Sequence, residues 1–412
     1  MTRRDLISGL DIGTSKVCAV VAEAGERPRV LGVGVAPCEG VRKGVVANAD
    51  RTTEAIVAAI AEVERASGVK VEEAAVGVGG DHILGENARS VIAVSRQNGE
   101  IREQDAKRVV EAARSIDLPD DRVVLHAVTQ GFVIDGERPV RDPRGATGVR
   151  LEGHVHMVTG ATAAIQAITR CARRAGIRVR RHVILPYASS FAVLSPDEVE
   201  RGVALIDVGA GTTGIALFSE GAVRSSCILP LGGNHITNDI SIGLHTSVAD
   251  AERLKVRSAH AVPSAVAGES ALRVPGAGSE ERTVTPETLG SIVAPRITEM
   301  LEFAAAELRE SEHYDRLGSG IVLTGGTSLL PGIADVAERV FEMPVRIGAP
   351  VLLDGLSETV AGPRFAAVIG LVLYGLGSER GERAALVTTV STKVESISRA
   401  VTQVKDWLND FF

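Results

Sequence analysis

The sequence predicts an α/β protein with two related lobes, a small α+β insertion in the first lobe and an amphipathic helix at the C-terminus. A strand–turn–strand pattern around Asp11 recurs around Asp207, 196 residues later in the chain. A repeat of that period indicates two lobes rather than a solenoid. Residues 83–160 are richer in charge and shorter in apolar runs than their flanks, and the last residues concentrate aromatic side chains without glycine or proline.

Composition limits the class of protein. The chain has 412 residues, enough for two or more domains, and 45% are hydrophobic, enough to fill their cores. A net charge of −7 argues against general nucleic-acid binding. Four dispersed cysteines indicate a reducing compartment, and the longest uncharged apolar run, residues 365–377, is shorter than the ~20 residues of a spanning helix. We predict a cytoplasmic protein that spans no membrane and binds no nucleic acid.

The first lobe opens with a strand, a turn over residues 11–16 and a second strand. The turn residues suited to bind an anion or a metal ion are Asp11, Gly13, Thr14, Ser15 and Lys16. Its glycine permits a positive φ, as do Gly209 and Gly211 in the second turn, and leaves backbone amides bare for an anion. The hydroxyl groups add hydrogen-bond donors, and the lysine adds positive charge beside a phosphate.

Helices and strands alternate between the two turns. An amphipathic helix is predicted over residues 50–67, where apolar side chains recur on one face. The insertion, residues 83–160, contains a predicted helix over residues 104–115. A helix over residues 161–176 and a strand over residues 182–185 return the chain to the first lobe.

The second lobe repeats the opening arrangement at residues 203–217. Its turn carries Asp207, Gly209, Gly211, Thr212 and Thr213. One such turn alone is most simply a β-hairpin, but two hydroxyl-rich copies predict a pair of phosphate-binding loops. Asp11 and Asp207 would repel phosphate directly, so we expect them to hold a hydrated Mg²⁺.

A third element follows the apolar strand predicted over residues 321–323. There Gly325, Gly326 and Thr327 leave bare backbone at a helix start, which a nucleoside can approach closely. A single glycine pair is more often a plain turn. Together the three elements predict a cleft between two lobes that holds a nucleotide from both sides.

These motifs resemble those of the actin-like ATPases. Residues 9–16 and 206–213 are similar to that superfamily's two phosphate motifs, and residues 324–327 are similar to its adenosine motif. The resemblance implies an actin-like two-lobe fold of duplicated ribonuclease-H-like domains that binds ATP and Mg²⁺. It also implies nucleotide contacts for Gly232, Gly233, Glu252 and Lys255. Without the other motifs, the last two would be a surface ion pair three residues apart.

Within the superfamily, the chain resembles the FtsA family of bacterial division proteins over nearly its whole length. This likeness is carried by residues 42–46, 80–83, 142–152 and 345–350. It implies an ATP-binding, polymerising adaptor that tethers the tubulin-like GTPase FtsZ to the cytoplasmic face of the inner membrane at the division site. It also implies downstream division partners for residues 83–160 and an FtsZ contact at Arg296, which would otherwise be a solvated charge at a helix end.

Pattern and resemblance together divide the chain. The predicted parts are residues 1–82 and 161–192 for the first-lobe core, 83–160 for the insertion, 193–232 and 305–377 for the second-lobe core, 233–304 for a second-lobe subdomain, 378–392 for a linker and 393–412 for a membrane-targeting helix.

Hydrolysis of ATP requires a group that orients or deprotonates the attacking water. Where MreB-type members of the superfamily have Glu-Pro between the lobes, this chain has Leu185 and Pro186. Leucine cannot polarise water, although Asp11 or Asp207 could act through a metal-bound water. We predict slow or negligible hydrolysis. A PilM-like adaptor of another membrane machine and a small-molecule kinase are the alternatives, and the sequence shows no substrate base or sugar pocket for a kinase.

The C-terminal segment carries an apolar stripe at helical spacing. The stripe includes Ile397, Val401, Val404, Trp407, Leu408, Phe411 and Phe412. A docked core helix, a short coiled coil and an interfacial membrane anchor all fit this pattern, and the family resemblance favours the anchor. Residues 393–412 carry three basic and three acidic side chains. We therefore predict weak, apolar binding to an anionic or neutral bilayer, with little dependence on salt, strengthened when many copies polymerise.

Overall fold

The computed structural model describes residues 6–25, 28–95, 98–115, 118–137, 139–275, 281–350, 353–355 and 360–380. The predicted membrane helix, residues 393–412, and the linker beyond Arg380 lie outside these described residues. Among the described helices, none has both the length and the apolar content needed to cross a bilayer.

Eighteen strands and ten α-helices make up the described part of the chain. The strands are β1 (Leu6–Ile12), β2 (Lys16–Glu23), β3 (Arg29–Pro37), β4 (Val41–Arg42), β5 (Val45–Val46), β6 (Glu73–Val78), β7 (Leu84–Ala93), β8 (Arg122–Ile134), β9 (Pro139–Val140), β10 (Arg150–Ala161), β11 (Arg178–Ile184), β12 (Val203–Val208), β13 (Thr213–Ser219), β14 (Ala222–Leu229), β15 (Leu272–Pro275), β16 (Glu281–Val284), β17 (Ile321–Thr324) and β18 (Val345–Ile347). The helices are α1 (Ala49–Ser67), α2 (Glu103–Arg114), α3 (Thr162–Arg174), α4 (Leu185–Val193), α5 (Pro196–Arg201), α6 (Gly233–Leu244), α7 (Val248–Ser258), α8 (Pro286–Arg309), α9 (Ile333–Phe341) and α10 (Ala366–Arg380).

The two lobes are built on sheets of the same topology. The first has the order β3-β2-β1-β6-β11 and the second has the order β14-β13-β12-β17-β18. In each sheet the first three strands form an antiparallel meander, and the remaining two run parallel to the strand at its centre. The duplication predicted from the two Asp-x-Gly turns is therefore confirmed, because each turn joins the same two strands of its sheet.

Helix α1 shows why the first-lobe sheet is covered so closely. Asn48 caps its N-terminus by accepting from the amide of Arg51, and Gly68 ends it in the left-handed conformation. Its apolar face packs against β3, where a Cβ on Gly34 would lie 2.0 Å from the carbonyl oxygen of Ala59. Glycine at that position therefore lets the helix backbone rest directly on the strand.

The insertion has its own sheet and core. Its strands take the order β7-β10-β8-β9, all antiparallel, and α2 covers one face. Most of its buried apolar side chains form a cluster separate from the cores of the lobes, whereas Leu125, Val128 and Val158 join the first-lobe core. The second-lobe subdomain combines α6, α7 and α8 with the β15–β16 ribbon, and its core is continuous with that of the second-lobe sheet.

The insertion also contacts the second lobe through hydrogen bonds to β14. The Gln130 side-chain amide donates to the Val223 carbonyl at 2.9 Å, and the Asn87 amide donates to the Arg224 carbonyl at 3.0 Å. The imidazole of the buried His156 lies 2.8 Å from the Ser226 hydroxyl. The insertion is thus joined covalently to the first lobe and by polar contacts to the second.

The last described helix corrects the predicted division of the chain. Residues 305–377 were assigned to the second lobe, but α10 packs on the first-lobe sheet, where Leu371 and Val372 lie against Gly9. It also crosses α4, with Gly370 against the backbone of Ala188. An apolar run without a polar face has to be covered on every side, and α4 and the sheet provide that cover. The helix also continues to Arg380, three residues into the predicted linker.

Candidate functional site

The ends of β1 and β12 meet at a cavity of ≈380 Å³ between the lobes. The predicted residues that line it are Asp11, Gly13, Thr14, Ser15, Lys16, Asp207, Gly209, Gly211, Thr212, Glu252, Lys255, Gly325, Gly326 and Thr327. A cavity of this size is ordinary for a small-molecule ligand. Residues more than 300 positions apart in the chain thus line one cavity.

The two Asp-x-Gly turns are closed by the same hydrogen bond. The Gly13 amide donates to the Lys16 carbonyl, and the Gly209 amide donates to the Thr212 carbonyl, both at 2.9 Å. The positive φ that glycine permits is not used in these turns, because neither these two glycines nor Gly211 adopt it. Space is the physical reason for glycine at Gly211, where a Cβ would lie 2.5 Å from the Thr14 hydroxyl oxygen of the other lobe.

Two carboxyl groups face the cavity, one from each lobe, with Asp11 buried and Asp207 half-buried. Asp11 is 9% exposed, and its Oδ1 atom has no hydrogen-bond partner among the described residues. Burial raises the pKa of Asp11 to about 6, and nearby Asp207 contributes in the same direction, while Lys16 opposes the shift. Burial also raises the pKa of Asp207, although the Ser189 hydroxyl donates to its Oδ2 atom at 2.5 Å.

These two carboxylates fit a divalent cation. Like charges in a buried site destabilise one another, and an unpaired buried oxygen requires a partner. Mg²⁺ prefers oxygen ligands, retains several waters and needs only one or two carboxylates. Asp11 and Asp207 would hold it directly or through water. Among the described residues, no cluster of three or more acidic, histidine or cysteine side chains offers an alternative metal site.

Lys16 is held by a segment that the motifs did not indicate. Its ammonium group donates to the Arg364 carbonyl at 2.7 Å and lies 4.2 Å from the centre of the Phe365 ring. Burial lowers the pKa of Lys16. Arg364 also lines the cavity. It stands just before α10 with no recognisable motif around it, so only the packing of α10 on the first lobe brings it here.

The far end of the cavity is formed by α7 and the segment after β17. The Lys255 ammonium lies 2.6 Å from the Glu252 carboxylate and donates to the Gly233 carbonyl at 3.1 Å. The Lys255 side chain is 12% exposed and the Glu252 side chain is 47% exposed, so the pair lines the cavity with its lysine largely buried and its carboxylate open to solvent. Val256 and Leu329, 72% and 53% exposed, form an apolar rim there that the motifs did not predict.

The glycine pair after β17 is tied to the second turn. Gly325 has φ 86°, and a Cβ there would lie 2.4 Å from Oδ1 of Asp207. The Thr327 hydroxyl donates to the Gly209 carbonyl at 3.0 Å, and the Gly233 amide donates to the same oxygen. These bonds fix the second turn against the start of α6.

Four predicted contact residues lie outside the cavity lining. Gly232 and Gly233 support the second turn from behind, where a Cβ on Gly232 would lie 2.7 Å from the Gly209 carbonyl oxygen. Thr213 is buried in β13, and its hydroxyl donates to the Leu231 carbonyl. Arg296, the predicted partner contact, belongs to the second-lobe subdomain.

The structure places Arg296 inside α8, so the alternative of a solvated charge at a helix end is wrong. Its guanidinium donates to the Asp239 carboxylate of α6 at 2.5 and 3.1 Å and also pairs with Glu299. The side chain is 28% exposed. It therefore joins two helices of the subdomain while leaving part of its surface accessible.

Replacing Asp11 with asparagine is expected to stabilise the metal-free chain at pH 7.5 by roughly 2–3 kcal/mol. The folded pKa of about 6 exceeds the ordinary 3.8. The contribution of Asp11 to the free energy of unfolding is therefore fully present below pH ~4 and is lost as the pH rises through 6. Urea denaturation in EDTA at pH 7.5 and pH 4.5 measures the difference in stability between variant and wild type, which should shrink at the lower pH.

Added Mg²⁺ should stabilise the wild type and not the Asp11→Asn variant. The exposed-site variant Asp315→Asn should behave as wild type, and equal stability of Asp11→Asn and wild type would contradict this account.

Comparisons with known proteins identify the family. A family model for cell division protein FtsA matches residues 204–370, and a model for the SHS2 domain inserted in FtsA matches residues 80–159. Cell division protein FtsA of Pseudomonas aeruginosa is 41% identical over 374 residues, covering 90% of this chain and 89% of the relative. The FtsA of Borreliella burgdorferi is 36% identical, covering 99% and 100%, and that of Escherichia coli K12 is 33% identical, covering 100% and 99%.

Solved structures agree on the fold. The PilM–PilN type IV pilus biogenesis complex matches with a TM-score of 0.63 at 18% identity, covering 91% of this chain and 99% of that one. MreB5 of Spiroplasma citri bound to ADP matches with a TM-score of 0.56 at 13% identity, covering 93% and 98%. These identities show the fold alone. With its actin-like lobes, its inserted domain and its full-length relatives, the chain belongs to the FtsA family of cell division proteins.

Proposed function

We propose that the chain binds ATP and Mg²⁺ between its lobes and acts as a polymerising adaptor that tethers the FtsZ ring to the cytoplasmic face of the cell membrane. The observation that carries the nucleotide part is the meeting of two hydroxyl-rich turns and the carboxylates of Asp11 and Asp207 at one cavity. Membership of a cell-division family supports the role in division. An MreB5 structure of the same fold was determined with ADP bound.

Each part of the cavity suits one part of ATP. The hydroxyls of Thr14, Ser15 and Thr212 supply donors for the phosphates, and Lys16 supplies a positive charge. Mg²⁺, when bound, would neutralise charge on the phosphate oxygens. The apolar rim beside α7 suits the adenine ring, with the Glu252–Lys255 pair within reach of the ribose. Leu185 lines the cavity without a group that could activate water, which supports slow or negligible hydrolysis.

The membrane and FtsZ contacts are assigned to separate parts of the chain. The apolar stripe of residues 393–412 would insert into the bilayer, and filament formation would multiply its weak binding. FtsZ would bind the second-lobe subdomain, residues 233–304, at Arg296. Downstream division proteins would bind the insertion, residues 83–160. The ion pairs of Arg296 with α6 imply that an acidic FtsZ segment would have to compete with Asp239 for the guanidinium.

Recruitment of fluorescent FtsZ to a supported bilayer tests this function. The full-length chain with ATP should bring FtsZ to the surface. Trp407→Glu should abolish membrane binding of both proteins, whereas Arg296→Glu should leave the chain on the bilayer and reduce FtsZ capture at least tenfold. Arg339→Glu, at an exposed arginine of α9 outside that subdomain, provides a charge-matched control. Failure of the wild-type chain to retain FtsZ with ATP would exclude the tether.

A further inference from the structure

Six arginines fall within twelve residues at one edge of the first lobe. They are Arg170, Arg173, Arg174, Arg178, Arg180 and Arg181. The first three end α3 and the others begin β11, the outer strand of the sheet. All except Arg181 are exposed. We call this surface the arginine edge.

The arginine edge has more positive charge than its neighbours neutralise. Arg174 pairs with Asp50, and Arg178 and Arg180 share Glu73. Within the described part of the chain, Arg170 and Arg173 have no carboxylate partner. The overall chain is acidic, so a basic surface of this density is a local feature that points to an anionic partner.

The arginine edge lies at the opposite end of the sheet from the cleft. The parallel strands β1, β6 and β11 have their carboxyl ends at the cleft, whereas Arg178 is the first residue of β11. The arginines are therefore too far from the nucleotide cavity to serve it, since they stand several residues away along strands that rise ~3.3 Å per residue. The cavity lining contains none of them.

The described chain leaves the first lobe at this same end of the sheet. Gly9 of β1 pairs with Ala75 of the parallel strand β6, so Ile7 lies beside Glu73, and Glu73 pairs with Arg178 of β11. Ile7 is therefore level with Arg178 two strands away, a separation of ~10 Å. Along α10, Val372 lies against Gly9 and Gly375 lies against Ile7, so the helix runs toward the starts of these strands. It ends at Arg380, and residues 381–412 continue from there.

We propose that the arginine edge binds the headgroups of anionic lipids in the bilayer that the C-terminal segment enters. This proposal rests on the membrane tether of the proposed function and adds the lipid class and the site. Residues 393–412 carry no net side-chain charge, so they give the chain no electrostatic preference among lipids. The arginine edge supplies that preference, because each basic residue near an anionic surface strengthens binding by about fivefold. It also directs the cleft away from the membrane.

Co-sedimentation of the full-length chain with vesicles tests the proposal. The probes are pure phosphatidylcholine vesicles and vesicles containing phosphatidylglycerol, each at 50 and 400 mM NaCl. We expect wild-type affinity for the anionic vesicles to exceed that for the neutral ones at least tenfold at low salt, and the excess to disappear at high salt. The small salt dependence predicted for residues 393–412 alone should be seen with the neutral vesicles, whereas the arginine edge makes binding of the whole chain to anionic vesicles depend on salt. The variant with Arg170, Arg173, Arg178 and Arg180 all replaced by glutamine should bind both vesicles as weakly as wild type binds neutral ones.

Two further variants separate charge from folding and from the tail. The double variant Arg170→Gln, Arg173→Gln keeps the ion pairs of Glu73. It should still lose most of the excess affinity for anionic over neutral vesicles. Replacing exposed Arg201, Arg257, Arg282 and Arg339 by glutamine removes the same charge from the second lobe and should leave the excess unchanged. Equal wild-type binding to both vesicles would overturn the arginine edge while leaving the tether intact, and no binding to either would overturn both. An unchanged lipid preference in the variant that lacks Arg170, Arg173, Arg178 and Arg180 would overturn the assignment of the edge to lipid headgroups.

Discussion

Replacing Gly370 with alanine is expected to destabilise the whole chain by about 3 kcal/mol or more. A Cβ at this position would lie 1.8 Å from the carbonyl oxygen of Ala188, which belongs to the backbone of α4 and cannot rotate away. The two helices would have to separate, and both pack on the first-lobe core. Urea denaturation followed by circular dichroism measures the loss.

Gly375→Ala in the same helix provides the matched control. Its Cβ would meet the Cγ2 methyl group of the Ile7 side chain at 2.8 Å, a milder clash than the 1.8 Å approach to a backbone carbonyl at Gly370. Each substitution also stabilises the helix by about 1 kcal/mol, because alanine has a higher helix propensity than glycine, and this gain is the same at both positions. The difference between the two variants therefore reports the contact between α4 and α10. Variants of equal stability would show that the helices do not touch at Gly370.

Replacing Gly211 with valine is expected to lower the affinity for ATP at least 100-fold. The new side chain would collide with Thr14 across the cavity and occupy the space between the two turns where the phosphates are proposed to lie. Isothermal titration calorimetry with ATP and Mg²⁺ measures the change, and a thermal melt establishes that the variant is folded.

Gly362→Ala controls for the substitution itself. A Cβ there would have no neighbour within 4 Å, and the residue does not line the cavity. Its affinity for ATP should match that of the wild type. If Gly211→Val bound ATP normally, the phosphates would have to lie elsewhere, and the assignment of the two turns would fail.

Much of the fold could be predicted because the chain repeats itself. The turns at Asp11 and Asp207 each required an apolar strand on both sides, and two sheets of identical strand order carry them. Helix α1 was predicted within one residue of its start, since an asparagine cap, an apolar face and a terminal glycine all agree. The predicted membership of the FtsA family is confirmed by full-length relatives.

The errors have a common physical origin in contacts that are distant along the chain. The sequence of α10 alone does not predict that the helix packs on the first-lobe sheet, because a helix that is apolar on all sides can be buried against any core. The position of Arg364 beside Lys16 follows from that same contact. Glycine at Gly211 was attributed to backbone conformation, but the close approach of the other lobe is what requires it.

The hydrogen bonds from the insertion to β14 close a mechanical loop. Two bodies connected only through α4 and α10 could rotate about the line of that crossing, which acts as a single hinge. A third attachment away from the hinge removes this remaining degree of freedom unless the insertion turns with the second lobe or its bonds to Val223, Arg224 and Ser226 break. A change in the angle between the lobes that leaves these bonds intact must therefore displace the insertion, on the outside of the molecule.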